Sequence, residues 1–433
     1  MRGATPDLAL AARLFDQLRA GSDHGGGITR DTYGQGEQQA HALLAGTARS
    51  LGLQVRTDAA LNLYMTLPGR DGRLPAAMTG SHLDSVPLGG NYDGAAGVVA
   101  GLAMLAGWIG AGLRPERDVT VMAIRAEESA WFPVSYIGSK SAFGLLDPGA
   151  LAARRFDTGR TLAEHLSDCG GRPDALAGGE PQISAVAIDC FVELHIEQGP
   201  VLIEDGKPLG VVSGICGSLR YRQARITGRY AHSGATPRRH RQDAVVAMAA
   251  FIHHMQYEWA AMEAQGHELT ITFGQANTDP RRADFSKVSG LVDFCIDIRS
   301  RSQATLAEMD RRLHATANAQ AGPHGVTFIL GEQSGSQPAA MAADLQACLR
   351  DALAEAGIQP FTMPSGAGHD AATFANAGVP SAMLFVRNAN GSHNPEEAMD
   401  MADFALGAAA LARVLGQRAG LAAATQPITA IVS

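Results

Sequence analysis

Short apolar runs recur along the chain, and several of them end directly on histidine or acidic residues. Four of these runs predict buried strands, at residues 76–80, 118–124, 190–195 and 380–386. Stretches with helical spacing of apolar residues separate them, for example at residues 37–51. The alternation predicts an α/β sheet domain with helices on both faces. Such sheets bind ligands at the carboxyl ends of their strands.

The middle of the chain has a different pattern. It predicts a strand, a helix, two strands, a helix and a strand, at residues 219–227, 243–264, 269–273, 291–298, 305–320 and 326–330. This βαββαβ order is typical of a ferredoxin-like α+β domain. Residues 331–338 are interpreted as a linker before a helix at residues 340–356. We therefore predict a catalytic α/β domain, formed by residues 1–217 and 332–433, that is interrupted by an α+β domain at residues 218–331.

Composition excludes several classes of protein. Of the 433 residues, 46% are hydrophobic and 18% are charged, so the chain can bury a core and is not disordered. The net charge of −8 and the lack of a basic block argue against nucleic-acid binding. Five widely spaced cysteines without a CxxC pair indicate a reducing compartment, so we expect a cytoplasmic protein.

An uncharged stretch of the chain raises the alternative of a membrane span. Residues 94–113 contain no charge, but they are rich in glycine and alanine and lie beside a polar motif. We interpret them as a buried helix and expect no membrane partner. The apolar residues 419–433 receive no role.

The densest cluster of candidate chemistry follows the first predicted strand. His82 and Asp84 form an HxD sequence at the strand end, which places both side chains on the same side of the chain. Asp93 follows on a glycine-rich loop, which can fold tightly around an ion. A surface loop with incidental polar residues is the alternative for this motif alone.

Other predicted strand ends carry the same residue types. Glu127 and Glu128 follow the second strand, His195 ends the third, and His393 follows the fourth. Imidazole and carboxylate groups are the ligands that zinc and manganese prefer. Because these candidates exceed the ligands of one tetrahedral ion, we predict two metal ions bridged by a carboxylate.

Six motifs resemble those of the hydantoinase/carbamoylase family of metal-dependent amidases. They are GSHLDSVPLGGNYDGAAGV, AEES, ELHIEQGPVL, GRYAHSGATPRRHRQDA, SGAGHDA and GSHNPEE. The family includes N-carbamoyl-L-amino-acid hydrolases, β-ureidopropionases and allantoate amidohydrolases, within the di-zinc aminoacylase and carboxypeptidase superfamily. The resemblance extends over most of the chain, with the motifs in the family's order.

The resemblance implies a role for each of the candidate residues. It implies that His82, Asp93 and His195 hold one metal ion, and that Asp93 bridges to a second ion held by Glu128 and His393. It further implies that Glu127 is the general base and that Asp84 orients His82. The ions are expected to be zinc, with manganese, cobalt or nickel as alternatives.

The inserted domain resembles the family's lid, which also forms a homodimer. His232 matches a residue that contacts the tetrahedral intermediate, and Arg299 matches one that binds a substrate carboxylate. Gln198 and Gly368 match further substrate contacts. The alternatives remain a surface or core histidine, a strand-end salt bridge for Arg299 and a plain helix-entry turn at Gly368. His369, beside that glycine, has no assigned role.

Three residues depart from the family pattern in the predicted substrate site. Ser286 stands where the family usually has asparagine, Trp131 where it has arginine, and Arg238 where methionine is common. If Trp131 lines the pocket, the substrate is bulkier or less anionic than the common ureido acids. The alternative is that Trp131 packs under the lid.

We therefore predict a homodimeric amidohydrolase that acts on a small molecule. The expected substrate is an N-carbamoyl-L-amino acid, cleaved to the amino acid, carbon dioxide and ammonia. Allantoate or ureidoglycolate hydrolysis is the first alternative, and N-acyl-amino-acid deacylation or peptide hydrolysis is the second. A non-catalytic binding protein with the same fold is a remote alternative, because it requires the loss of Glu127 or of a ligand.

Overall fold

The computed structural model describes residues 5–23 and 25–423, and the chain forms two compact units. The first unit comprises the described residues up to Ser213, Met341–Ser365 and those from His369 onward. The second comprises Gly214–Ala340 and Gly366–Gly368. Most of the apolar segment at residues 419–433, to which the sequence assigns no role, lies outside the described residues.

The amino-terminal part of the first unit contains seven α-helices and seven strands. The helices are α1 (Leu8–Ser22), α2 (Gln35–Ser50), α3 (Ala95–Gly110), α4 (Ile137–Ala142), α5 (Leu162–Asp168), α6 (Pro173–Ala177) and α7 (Val201–Glu204). The strands are β1 (Gln54–Thr57), β2 (Leu63–Leu67), β3 (Ala76–His82), β4 (Leu113–Arg114), β5 (Val119–Ile124), β6 (Ile188–Ile196) and β7 (Leu209–Ile215), the last of which continues into the second unit.

The second unit is an antiparallel sheet with two long helices. Its strands are β8 (Gly217–Thr227), β9 (Ala231–His232), β10 (Thr270–Asn277), β11 (Lys287–Val288), β12 (Leu291–Ser300), β13 (Thr327–Ile329), β14 (Gln333–Ser336) and β15 (Ala339–Ala340). Its helices are α8 (Ala244–Glu263) and α9 (Gln303–His324). The main sheet has the order β10-β12-β8-β13, which contains the four strands of the predicted βαββαβ pattern, while β9 pairs with β11 and β15 pairs with β7. Along β12, buried and half-buried residues alternate, so one strand face supplies the core.

One expectation for this unit is wrong. The linker predicted at residues 331–338 contains β14, which pairs antiparallel with β8 at Gln333 and Tyr221. β13 pairs only with the carboxyl-terminal half of β8, so the other half of β8 accepts β14. The Gly- and Ser-rich sequence has little strand propensity of its own, and tertiary pairing overrides it.

The carboxyl-terminal part completes the first unit. It contributes α10 (Ala343–Glu355), α11 (Asp370–Asn376) and α12 (Met401–Arg418), and strands β16 (Thr362–Ser365), β17 (Ser381–Val386), β18 (Asn388–Ala389), β19 (Ala398–Met399) and β20 (Ala422–Ala423). The sheet order is β1-β2-β5-β3-β6-β17-β7, and β16 also pairs with β7. The α/β fold class predicted from the sequence is thereby confirmed.

Four neighbouring strands of this sheet run parallel, namely β5, β3, β6 and β17. Every residue of β5 and of β17 is buried, which explains their continuous apolar sequences. Their carboxyl ends meet at one edge of the sheet. The uncharged stretch predicted as a buried helix forms α3, which is buried over most of its length. No helix in the described part of the chain combines the length and apolar character needed to cross a membrane.

Candidate metal centre

The predicted chemistry gathers at the shared edge of the parallel strands. His82 is the last residue of β3, and His195 is the penultimate residue of β6. Glu127 and Glu128 follow β5 after a short turn. Asp93 lies just before α3 on the loop that leaves β3. The parallel arrangement therefore places residues from separate sequence motifs at one site.

Two histidines converge on one oxygen of Asp93. The Nε2 atoms of His82 and His195 lie 3.6 Å and 3.2 Å from Asp93 Oδ1. All three residues are buried. Among the described residues, Asp93 Oδ1 has no hydrogen-bond partner.

The orientation of both imidazole rings is set by backbone carbonyls. His82 Nδ1 lies 3.0 Å from the carbonyl oxygen of Asp84, and His195 Nδ1 lies 2.8 Å from that of Ile196. A carbonyl only accepts, so each Nδ1 carries hydrogen and each neutral ring has its lone pair on Nε2, where that of His195 accepts the N–H of Gly94 at 3.2 Å. Two lone pairs and a carboxylate oxygen at one buried point fit a divalent cation.

A second ligand group shares Asp93. His393 Nε2 lies 3.3 Å from Asp93 Oδ2 and 3.1 Å from Glu128 Oε1. Hydrogen bonds to these two carboxylates raise the pKa of His393 to about 11. Because the two oxygens of Asp93 face different histidines, this one carboxylate belongs to both candidate ligand groups.

Glu127 has no position in either ligand group and lies beside them. Its carboxylate is buried, and burial raises its pKa well above the usual range. The charges of Glu128 and Asp370 raise this pKa further. A carboxylate with a raised pKa can accept and return a proton near neutral pH.

Asp84 contacts several other groups in addition to His82. Its Oδ1 accepts the backbone N–H of Glu127 at 3.1 Å, and its Oδ2 accepts that of Glu128 at 3.2 Å. The hydroxyl of Thr32 donates to Oδ2 at 2.7 Å. The carboxylate lies 3.5 Å from His82 Nδ1, whereas the Asp84 carbonyl lies at 3.0 Å. Asp84 therefore joins the histidine strand to the glutamate segment.

Buried polar groups that sequence reasoning missed support the Asp93 loop. Glu397 Oε1 accepts the backbone N–H groups of Tyr92 and Asp93 at 2.8 Å and 3.3 Å. The Ser392 hydroxyl lies 2.7 Å from Asp93 Oδ2 and 2.6 Å from Glu397 Oε2. A side-chain carbon at Gly90 would lie 2.1 Å from the Glu397 carboxyl carbon, so only glycine fits there. Glu397 lies in the GSHNPEE motif, which was the available signal.

A third group of buried side chains lies next to His195. Glu193 accepts the Ser81 hydroxyl at 2.6 Å and the backbone N–H of Ala371 at 2.8 Å. The ring of His369 packs edge-on against that of His195, with centroids 4.5 Å apart. These contacts connect β3, β6 and α11 and fix the position of His195.

The two predicted substrate residues of the first unit differ in their surroundings. Gln198 has a left-handed backbone (φ 66°), and its Nε2 donates to Asp93 Oδ2 at 2.9 Å. Its Oε1 is buried and lacks a hydrogen-bond partner among the described residues. Trp131 is only 6% exposed and stacks on Phe156. Its indole donates to the Ser85 carbonyl at 2.7 Å.

The remaining predicted residues belong to the second unit. His232 is exposed, and its Nδ1 accepts the N–H groups of Gly234 and Ala235, each at 3.1 Å, so its Nε2 carries hydrogen. Arg299 donates to Asp297 Oδ2 and to the Gly366 carbonyl, each at 2.9 Å.

Two segments in this unit are close to those residues. The Ser286 carbonyl accepts the N–H of Ser233, one residue after His232, at 2.8 Å. Arg238 is exposed on the loop that follows His232. Gly368 belongs to the same short segment of the chain, Gly366–Gly368, whose first carbonyl Arg299 contacts. The structure thus brings together the five predicted ligands in one unit and places the predicted lid residues in the other.

Comparisons with known proteins identify the family of this chain, and its relatives are similar to it over most of their length. The model of peptidase family M20/M25/M40 matches residues 78–417. The allantoate amidohydrolase of Escherichia coli is 33% identical over 405 residues, covering 92% of this chain and 95% of that protein. The N-carbamoyl-L-amino acid amidohydrolase of Geobacillus stearothermophilus is 33% identical over 411 residues, covering 94% and 97%.

A solved structure shows the same architecture. The amidase of the hydantoinase/carbamoylase family from Burkholderia multivorans superposes with a TM-score of 0.83 at 28% sequence identity. The superposition covers 96% of this chain and 98% of that chain. The similarity therefore extends over both units rather than over the metal centre alone.

Proposed function

The chain belongs to peptidase family M20/M25/M40, and from this membership we propose that it is an amidohydrolase with two divalent cations per subunit. It cleaves a linear C–N bond in a small N-carbamoyl or N-acyl compound. The observation that carries the proposal is the position of Asp93 between two pairs of ligand side chains. The proposed cations are zinc, with manganese, cobalt or nickel as alternatives.

The substrate we propose is an N-carbamoyl-L-amino acid. Its hydrolysis consumes one water and gives the amino acid, carbon dioxide and ammonia. Allantoate is the second candidate, because relatives named for the two reactions have the same identity of 33% to this chain. Both compounds present a carboxylate and a ureido group.

The proposed mechanism assigns proton transfer to Glu127. Two divalent cations, when bound, supply the Lewis acidity that makes water a nucleophile near neutral pH. Glu127 takes the proton from that water and later delivers it to the departing nitrogen. Burial raises the pKa of this carboxyl group, which makes Glu127 a stronger proton acceptor than an exposed glutamate.

Substrate recognition is assigned to residues of both units. The unpartnered Gln198 Oε1 is available to accept an N–H of the ureido group. For the second unit we propose that Arg299 binds the carboxylate and that His232 donates its Nε2 hydrogen to the developing oxyanion. We also propose that this unit is the lid that forms the homodimer and that the enzyme works in the cytoplasm.

A hydrolysis screen with ammonia detection tests the proposal. The purified protein is stripped with chelator, reloaded with zinc, manganese or cobalt, and supplied with N-carbamoyl, N-acetyl, N-formyl and allantoate substrates. We expect metal-dependent release of ammonia and free amino acid from an N-carbamoyl-L-amino acid, and no free amino acid from the N-acetyl analogue, whose hydrolysis would give acetate instead of ammonia. Turnover confined to allantoate would favour the second candidate, and full activity without metal would contradict the mechanism.

A further inference from the structure

The backbone that carries Glu127 and Glu128 is held at every N–H by a side-chain oxygen. In residues 125–128, the first N–H donates to Asn62 Oδ1 at 3.0 Å, and the second donates to Glu37 Oε1 at 3.0 Å. The last two donate to Asp84. The first three carbonyls of this segment accept the N–H groups of residues 138, 137 and 136. Of these three side chains, Glu37 on α2 also accepts a hydrogen bond from a side chain of the segment, that of Arg125.

Glu37 holds two residues in an unusual conformation. Ala126 has φ 56° and Tyr33 has φ 48°, both in the left-handed region that non-glycine residues seldom adopt. The N–H of Ala126 donates to Glu37 Oε1, and the N–H of Tyr33 donates to Glu37 Oε2 at 2.7 Å. One buried carboxylate therefore fixes the backbone immediately before the proposed base.

A charged partner completes this arrangement. Arg125 Nη1 donates to Glu37 Oε2 at 3.0 Å, and both side chains are almost fully buried. The same guanidinium donates to Gln38 Oε1 and, through Nε, to the Leu61 carbonyl at 3.2 Å. Because Arg125 begins the segment, the ion pair joins α2 to the end of β5.

We propose that Glu37 is a positioning residue that sets the backbone of residues 125–128 and through it the side chains of Glu127 and Glu128. The expected effect of Glu37 on kcat rests on the proposed function, whereas its expected effect on hydrogen exchange of the backbone does not. Glu37 lies outside the motifs that carry the family resemblance, and its contacts alone assign this role.

Glutamine cannot replace Glu37 without the loss of at least one hydrogen bond. Three donors surround the carboxylate, namely two backbone N–H groups and a guanidinium. A glutamine side chain has one acceptor oxygen, and its NH₂ group would face a donor at the other position. Glu37→Gln keeps the volume of the side chain but breaks at least one of these contacts.

The test compares Glu37→Gln with Glu164→Gln in the metal-loaded enzyme. Glu164 also lies in the first turn of a helix and accepts a backbone N–H, that of Thr161, but it is exposed on α5. For Glu37→Gln we expect kcat to fall about 10- to 100-fold, because small displacements of reacting groups have effects of this size. We expect KM to change less than about threefold, and Glu164→Gln to match the wild type.

Hydrogen exchange supplies a readout that is independent of turnover. In Glu37→Gln the amides of residues 126–128 should exchange faster, while those of α12 keep their wild-type rates. Unchanged kcat together with unchanged exchange at residues 126–128 would overturn the proposal. A wild-type enzyme without amidohydrolase activity would refute the proposed function and leave the exchange comparison decisive for Glu37.

The variant Ala126→Gly allows the effect of Glu37 on kcat to be measured separately from its effect on stability. Ala126→Gly removes the strain of the left-handed conformation at residue 126, so in that background Glu37→Gln should lower the unfolding temperature only through its broken contacts with Arg125 and Tyr33. Positioning predicts that kcat of the double variant is still about 10-fold below that of Ala126→Gly. Equal kcat values would show that Glu37 only relieves strain and would overturn its positioning role.

Discussion

At the scale of single residues, the two buried histidines show how a main chain prepares a ligand. Neither His82 nor His195 uses a side-chain carboxylate as its closest Nδ1 partner, because backbone carbonyls at 3.0 Å and 2.8 Å take that position. A backbone acceptor cannot be lost by substitution of the residue that carries it. The tautomer that places the lone pair on Nε2 is therefore a property of the strand ends themselves.

Replacement of Glu127 tests the assignment of proton transfer. Glu127→Gln removes the proton acceptor and keeps the volume, so kcat should fall about 10²–10⁴-fold while metal content stays at the wild-type level. Steady-state kinetics and elemental analysis of the same preparation measure both. Glu164→Gln serves as the surface control. Loss of metal from Glu127→Gln would instead identify Glu127 as a ligand.

Arg299 offers a test of the substrate's carboxylate. Arg299→Ala should raise KM about 10- to 100-fold for N-carbamoyl amino acids, since a hydrogen bond to a charged group contributes roughly 1.5–3 kcal/mol. KM should change little for the corresponding N-carbamoyl amino acid amides, which lack that charge. Arg225→Ala, which removes an exposed arginine of the same unit, is the matched control. Equal effects on both substrate classes would exclude a carboxylate contact.

Side chains with a local sequence signal were predictable, and isolated ones were not. His82, Asp93, Glu128, His195 and His393 stand in motifs at strand ends, and the structure brings them together. Thr32, Glu37 and Ser392 act through contacts with distant parts of the chain, and no pattern around them shows which backbone N–H or carboxylate they meet. Trp131 was ambiguous because burial and pocket lining require the same apolar side chain.

At the scale of elements, continuous apolar strands made the sheet predictable. β5 and β17 are buried throughout, and the polar residues after them mark the sheet edge where the ligands lie. β14 was missed because its pairing depends on the free half of β8 rather than on its own sequence. Strand register is decided by partners, which single-chain patterns do not show.

Gly94 lies at the start of α3 beside the candidate metal centre. The effect of replacing it can be compared with that of replacing Gly112. Gly94 has φ 66°, and a side-chain carbon there would lie 2.5 Å from the His82 ring. Gly112 has φ 64° and no heavy atom within 4 Å of that position. Gly94→Ala and Gly112→Ala therefore both place a side chain at a positive φ, but only Gly94→Ala sets a side-chain carbon against a proposed ligand.

The expected difference concerns metal content. Gly94→Ala should lose bound metal and activity, whereas Gly112→Ala should keep both and show only the lower unfolding temperature. Elemental analysis and thermal unfolding measure these effects. Similar metal content in the two variants would mean that the His82 ring moves without leaving its ligand position.

At the scale of the whole molecule, the ligands and their supporting side chains lie in the first unit. Each unit also has its own apolar core, with Phe404 in the first and Phe251 in the second, both fully buried. The inserted unit therefore contributes no ligand to the centre as described. Sequence patterns indicated this separation because the element order changes from alternating strands and helices to βαββαβ.

A pair of core substitutions tests this independence. Phe251→Ala should destabilise the second unit by about 3–5 kcal/mol and leave the metal content of the folded protein unchanged. Phe404→Ala removes an equivalent side chain from the first unit and should release metal at lower urea concentration. Urea titrations followed by a metal-binding dye measure the release. Loss of metal from both variants at the same urea concentration would contradict the independence of the two units.

The sheet order has a consequence for protein synthesis. β17 lies between β6 and β7, but it is translated only after the entire inserted unit. A nascent chain therefore exposes the unpaired edge of β6 while the insertion is made, and such edges pair readily with other chains. The ligands of the first group are already translated by then, whereas His393 follows β17. We expect the ribosome-bound chain to pass through a stage that depends on chaperones, in which it has four of the five proposed ligands.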